Sequence, residues 1–272
     1  MSMFTGIKKY GKRGLFCLFA GFGFSQISAQ EIKILTYNIY HGEQGYDKGK
    51  SNLEDIAAII KQYKPDFVAL QEVDSMTDRT ARFNNGTRKD LVKELAALTG
   101  MYGYYGKAMD YSNGGYGEGL LSRYADTSAV YHLPIPKGGE PRAMIAIRHT
   151  FPNGRQIVFG ATHLCHEYEE NRMAQVKEIA ATLAAKKVPA ILAGDLNITP
   201  DTQPYQYLTT VYKDAAELHG KPELTFPSDK PTVRLDYVFL SKENKWKVKE
   251  VKVIDAKASD HKPVLVILEL KD

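Results

Sequence analysis

Short apolar runs that stop abruptly at polar tips constrain this chain more than any other feature. Phe67-Val68-Ala69-Leu70 runs into Gln71-Glu72, and Ile191-Leu192-Ala193 into Gly194-Asp195-Leu196-Asn197. The stretches Glu31 to Tyr37 and Gln156 to Ala161 end likewise, at Asn38 and at Thr162-His163. Runs this short and this apolar read as strands, the continuous ones buried on both faces. Burying the body of a strand presents its tip, so the polar clusters gather at one end of a β-rich core. Two more clusters, Arg234-Leu235-Asp236-Tyr237 and Ser259-Asp260-His261, flank strands near the C-terminus. Carboxylates brought together in this way suit a hard divalent cation, which takes oxygen ligands and keeps positions open for water and phosphate. The expected chemistry is metal-dependent phosphoester hydrolysis.

The N-terminus reads as a separate device. Lys8, Lys9, Lys12 and Arg13 precede the apolar stretch Leu15 to Phe24, and Ser28-Ala29 offers a cleavage point. The apolar stretch is too short to span a bilayer, so residues 1–29 are expected to be a signal peptide and the mature protein to be exported, to the periplasm or the exterior. Phe16 stands before Cys17 where a lipid anchor needs a small residue, which argues against lipidation. The leader holds four basic residues and no acidic one, so its removal takes 36 Lys and Arg down to 32, equal to the 32 Asp and Glu. The formal charge of +4 therefore belongs to the leader, and no strongly basic surface argues for nucleic acid. Cys165 is the one cysteine beyond it, which excludes an internal disulfide. With no further membrane-length stretch and no repeat or linker, residues 30–272 are expected to form one monomeric domain.

Helical spacing is predicted over Asn52 to Tyr63, stopped by Lys64-Pro65, over Leu91 to Leu98, stopped by Gly100, and over Glu167 to Lys186. Strand-like pieces fill Met101 to Arg148, and three strands are expected between Leu235 and Leu270. The Asn113-to-Gly119 segment is no phosphate-binding loop, because no Gly-Lys-Ser/Thr follows. It is expected to be a flexible loop leading into Leu120-Leu121-Ser122-Arg123, with nearby tyrosines as either exposed strand residues or a stacking surface.

At the tips, a carboxylate such as Glu72 at the end of a buried strand needs a partner or a cation. Asp195 and Asn197 lie two residues apart and face the same way if extended geometry continues; the alternative is an Asx-type turn. His261 beside Asp260 can handle a proton, and Asp236 is the candidate that fixes its tautomer, with water in place of a serine nucleophile. His163-Leu164-Cys165-His166 does not match the spacing of a zinc site, so His163 is read as a phosphate contact and His166 as its support or a helix cap. Arg142 is a further candidate for phosphate, ahead of Arg79, Arg82 and Arg172.

Taken in order, these segments resemble the endonuclease/exonuclease/phosphatase superfamily of DNase I-like nucleases, sphingomyelinases and inositol-polyphosphate phosphatases. The matching pieces are Leu35-Thr36-Tyr37-Asn38, Leu70-Gln71-Glu72-Val73, Gly119 to Arg123, Thr162-His163-Leu164, Gly194 to Asn197, Arg234 to Phe239 and Ser259 to Val264. The resemblance implies a four-layered α/β sandwich, with two mixed β-sheets face to face and helices outside, and a magnesium-type cation, with manganese or another divalent ion as alternatives. It implies Glu72 as the main metal ligand, with Asn38 supporting the metal or the water. Asp195 would orient that water, while Asn197 and His163 hold the phosphate. Asp236 would orient His261, and Asp260 would position His261 or hold metal. The expected substrate is a phosphorylated small molecule or lipid headgroup; DNA or RNA is the alternative, and a non-catalytic phospho-ligand-binding protein a third.

Overall fold

A computed structural model describes residues 1–3, 6 and 30–271 of the chain. Apart from residues 1–3 and 6, the expected signal peptide lies outside the described residues. The first sheet holds β1 (Gln30–Asn38), β2 (Phe67–Ser75), β3 (Tyr102–Tyr111) and β4 (Gly114–Ser122). The second holds β5 (Thr127–His132), β6 (Ala143–Thr150), β7 (Gln156–His163), β8 (Ala190–Asp195), β9 (Tyr212–Asp214) and β10 (Asp236–Ser241). The chain then returns to the first sheet with β11 (Trp246–Val253) and β12 (Val264–Leu270), giving the orders β11-β12-β1-β2-β4-β3 and β5-β6-β7-β8-β10-β9. The helices are α1 (Leu53–Tyr63), α2 (Asp78–Arg82), α3 (Leu91–Thr99), α4 (Glu169–Ala184), α5 (Gln203–Val211) and α6 (Ala215–His219).

Side-chain alternation along the strands builds the layers. In β8, Ile191 and Ala193 enter the core between the sheets, where they join Phe67, Ala69, Ile145, Phe159 and Val238. Ala190 and Leu192, on the other face, pack with Val176, Ile179 and Leu183 of α4 and Leu208 of α5. The first sheet is covered in the same way, with Leu35, Val68 and Leu70 under Ile56 and Ile60 of α1 and Leu91 and Leu95 of α3. The result is the expected helix–sheet–sheet–helix sandwich. Central strands such as β2 and β8 read as continuous apolar runs because both of their faces are buried.

Local signals set several boundaries as predicted. Lys64 closes α1 in the left-handed region immediately before Pro65. The Asp90 side chain accepts from Lys93 N at the start of α3, and Gly100, at φ 71°, ends it. Among the described residues no helix is long and apolar enough to cross a membrane.

Two expectations are corrected. The glycine-rich stretch is no flexible loop: Gly114 to Ser122 is a strand paired with both β2 and β3, and Gly115 to Ser122 are buried. Its glycines serve close packing, since a Cβ on Gly117 would lie 2.1 Å from Gly106 O. Nor does the second strand end at Glu72. It continues to Ser75, with a register shift between Leu70 and Val73 that swings Glu72 out at φ 56°. A bulge re-aims a side chain without ending the pairing. The short β9, α5 and α6 carry no strong periodic signal in the sequence.

Candidate active site

Register brings the tips together. The parallel pair β1 and β2 aligns Asn38 with Gln71, and the parallel pair β7 and β8 aligns His163 with Asp195. β10 runs antiparallel to β8, so its first residue, Asp236, meets the last residue of β8, Asp195. One end of the sandwich thus receives the C-terminal tips of β1, β7 and β8, the bulge within β2 and the N-terminal tip of β10.

Side-chain contacts join the two sheets there. Asn38 Nδ2 donates to Glu72 Oε1 and to Asp195 Oδ2, both at 3.1 Å, while its Oδ1 accepts from Tyr40 N. Asn38 therefore presents N–H groups rather than its oxygen to the two carboxylates and holds both in place. Asn197 N donates to Asp195 Oδ1 at 3.0 Å, and Asn197 has φ 50°. The extended geometry stops at Asp195 and an Asx turn follows, yet the turn still delivers Asn197 Nδ2 to within 3.0 Å of His163 Nε2.

His261 Nδ1 lies 2.9 Å from Asp236 Oδ2, and its Nε2 lies 3.6 Å from Asp195 Oδ2. Thr225 Oγ1 accepts from both Leu235 N and Asp236 N, which fixes the head of β10. Tyr237 Oη lies 2.9 Å from both Ile198 O and Arg234 O and shares its one proton between them, tying the Asn197 turn to the same strand. The ring of Phe226 packs against His261 at 4.7 Å between centroids. Glu72, Arg142, His163, Asp195, Asn197, Asp260 and His261 all line one cavity of about 480 Å³, walled by Tyr40, Tyr111, Tyr116 and Phe226.

Electrostatics differentiates the groups. Burial alone would raise Glu72, but His41, His163 and Asn38 together bring it down to about 2. Burial raises Asp195, and the charge of Asp236 raises it further. His261 moves up: burial opposes its charged form, but the carboxylates of Asp236 and Asp195 prevail. Burial and the Arg142 charge hold His163 well below the ordinary histidine range. Asp260 is raised by burial and by the charge of Glu72. Glu72 and Asp260 thus form an oxygen-only pair facing one cavity and repelling one another, a donor set that a hard divalent cation fits. Asp195, Asp236 and His261 also offer ligand atoms within 4.8 Å of one another. There, however, the hydrogen bond between His261 and Asp236 already engages Nδ1 and Oδ2, the arrangement of a proton-handling pair.

Sequence reasoning missed Glu118 and His41. Glu118 on β4 is 1% exposed, and burial pushes its carboxyl well up. Its signal is an acid within a glycine-rich run whose composition predicts a loop. His41, at φ 45°, places Nε2 3.2 Å from Glu43 Oε2 and Nδ1 3.8 Å from Glu72 Oε2. Cys165 is a packed free thiol, with Tyr168 N donating to its sulfur.

The family model described as "Endonuclease/Exonuclease/phosphatase family" matches residues 35–261, which span these tips from Leu35 to His261. The chain belongs to the endonuclease/exonuclease/phosphatase family. That family's enzymes are phosphoric ester hydrolases. The chain is 26% identical over 215 residues to the uncharacterized protein YbhP of Escherichia coli K12, covering 77% of this chain and 84% of that protein. An endonuclease/exonuclease/phosphatase structure from Bacteroides vulgatus superposes with a TM-score of 0.72 at 21% identity, over 89% of this chain and all (100%) of that one. The mannosyl-6-phosphatase of Bacteroides thetaiotaomicron gives a TM-score of 0.69 at 18% identity, covering 87% and 99%. At these identities the two structures establish a shared fold for this family member.

Proposed function

We propose that this protein is an exported, divalent-cation-dependent phosphoesterase that hydrolyses a phosphomonoester or phosphodiester of a small polar molecule or lipid headgroup. The observation that carries this reading is a single cavity of about 480 Å³ holding acid, amide, histidine and arginine side chains from both sheets. That volume lies within the range of small-ligand pockets, of order 300–1,000 Å³. Its aromatic walls suit a sugar-sized or headgroup-sized body, in keeping with a structural neighbour named mannosyl-6-phosphatase. The mature chain's balanced charge points the same way.

Glu72 and Asp260 would hold the cation, which when bound supplies charge neutralisation at the phosphate oxygens. Asp195, kept in place by Asn38 and Asn197, accepts the proton of a water that attacks phosphorus as the ester P–O bond opens. His261, backed by Asp236, lies beside Asp195 and can supply a proton to the departing oxygen. Asn197, His163 and Arg142 offer donors and positive charge where phosphate charge grows.

The test is turnover by purified mature protein with magnesium on plasmid DNA, sphingomyelin vesicles, inositol polyphosphate and a sugar phosphate. Phosphate or headgroup release with intact plasmid is expected; rapid plasmid nicking at low enzyme concentration would establish the nuclease alternative instead. For export, the N-terminus of the secreted protein is expected at Gln30, and an intact Met1 on protein retained in the cytosol would contradict it.

A further inference from the structure

Arg142 enters the site from the start of β6 and is 2% exposed. Its two terminal nitrogens point at two different imidazoles: Nη1 lies 3.1 Å from His163 Nδ1, and Nη2 lies 3.0 Å from His166 Nδ1. A guanidinium carries donors only and does not deprotonate in a protein. Whatever ring nitrogen it addresses must therefore accept.

We propose that Arg142 is a positioning residue that locks both His163 and His166 into the tautomer with Nδ1 bare and the proton on Nε2. Each imidazole then offers a neutral N–H away from the arginine. The Nε2 of His163 lies 3.4 Å from Asp195 Oδ2, an acceptor for that proton. His166 lines the cavity, and its Nε2 lies 3.5 Å from Glu167 Oε1. Protonating His163 would set an N–H against the N–H of a buried cation, so that ring stays neutral. The charge of Arg142 is balanced at this point by Glu140, whose Oε1 is 2.7 Å from Nη1.

One contact pulls the other way. Asn197 Nδ2, which also donates to Leu164 O at 3.1 Å, stands 3.0 Å from His163 Nε2. An amide can turn half a revolution about its last bond and offer Oδ1 to Nε2–H, at the loss of the Leu164 interaction. A guanidinium has no such alternative, and its charge-assisted hydrogen bond is the stronger of the two. The arginine decides the tautomer.

The tautomer assignment stands by itself, while the use of the two N–H groups on a phosphate oxygen rests on the phosphoesterase reading. Long-range proton–nitrogen correlation spectra of the ¹⁵N-histidine-labelled mature protein, assigned with His163→Gln and His166→Gln, test the first. Both residues are expected as pure Nε2–H tautomers, and a proton on Nδ1 of either would overturn the proposal. In Arg142→Met, or in Arg142→Lys if the former does not fold, at least one of the two rings should become a tautomer mixture. Unchanged tautomers in a folded variant would also overturn it. Titrating inorganic phosphate into the unsubstituted protein tests the second part: the Nε2 resonances should shift by more than those of Nδ1. If neither nitrogen responds while phosphate binds, the phosphate-facing role fails and the tautomer assignment remains.

Discussion

Asp236 and His261 are separated by 25 residues, yet Asp236 Oδ2 accepts from His261 Nδ1 at 2.9 Å, with both side chains buried. The pair exists because β10 begins where β8 ends and Lys262 N, beside His261, donates to O of Thr225, the residue that fixes the head of β10. The carboxylate leaves Nε2 of His261 as the group that faces Asp195. Asp236→Asn keeps the volume but removes the negative charge that stabilises the charged ring, and its amide can turn an N–H toward Nδ1 and select the wrong tautomer. Steady-state kinetics should show kcat reduced by roughly 10²- to 10⁴-fold with little change in KM. An unchanged kcat would show that the pair is structural only.

Glu72 couples the site to acid stability in the metal-free protein. Its folded-state carboxyl is depressed to about 2, below its ordinary range. A depressed carboxylate contributes stability that is complete above the unfolded value, roughly pH 4.5, and is lost as pH falls through the folded one. Urea unfolding in EDTA should therefore show the unsubstituted protein losing on the order of 3 kcal/mol more than Glu72→Gln between pH 5 and pH 2. Parallel losses in the two proteins would contradict this.

Gly117 and Gly194 stand where no side chain fits. A Cβ on Gly194 would lie 1.9 Å from Thr162 O, and one on Gly117 would lie 2.1 Å from Gly106 O. Backbone cannot yield as a flexible side chain can, so each Gly→Ala substitution should cost more than about 3 kcal/mol. Thermal or urea unfolding measures it. Gly154→Ala is the useful contrast: its Cβ would meet nothing within 4 Å, though φ 81° still imposes a smaller strain.

The sequence disclosed the strands whose two faces are both buried, because Phe67 to Leu70 and Ile191 to Ala193 could satisfy no other environment. Their tips followed, and with them Asn38, Glu72, His163, Asp195, Asn197, Asp236, Asp260 and His261, which the structure gathers around one end of the sandwich. The residues left unread depend on tertiary packing rather than on local pattern. Glu118 was hidden because glycines that usually mark loops here admit the backbones of Ser75 and Gly106. The bulge at Glu72 comes from pairing with β4, which lies far along the chain. Arg142 carried no local mark of its two histidine partners, because the strand β7 and the turn after it supply them.

The central claim is that these distant side chains form one cation-dependent phosphoesterase site, and phosphate release measured across a magnesium titration tests it most directly. The unsubstituted protein should lose activity in EDTA and regain it with magnesium. Glu72→Gln should need far more magnesium, and His261→Ala should remain inactive at any concentration while keeping its fold. Full activity in EDTA, or a His261→Ala variant as active as the unsubstituted protein, would contradict the account.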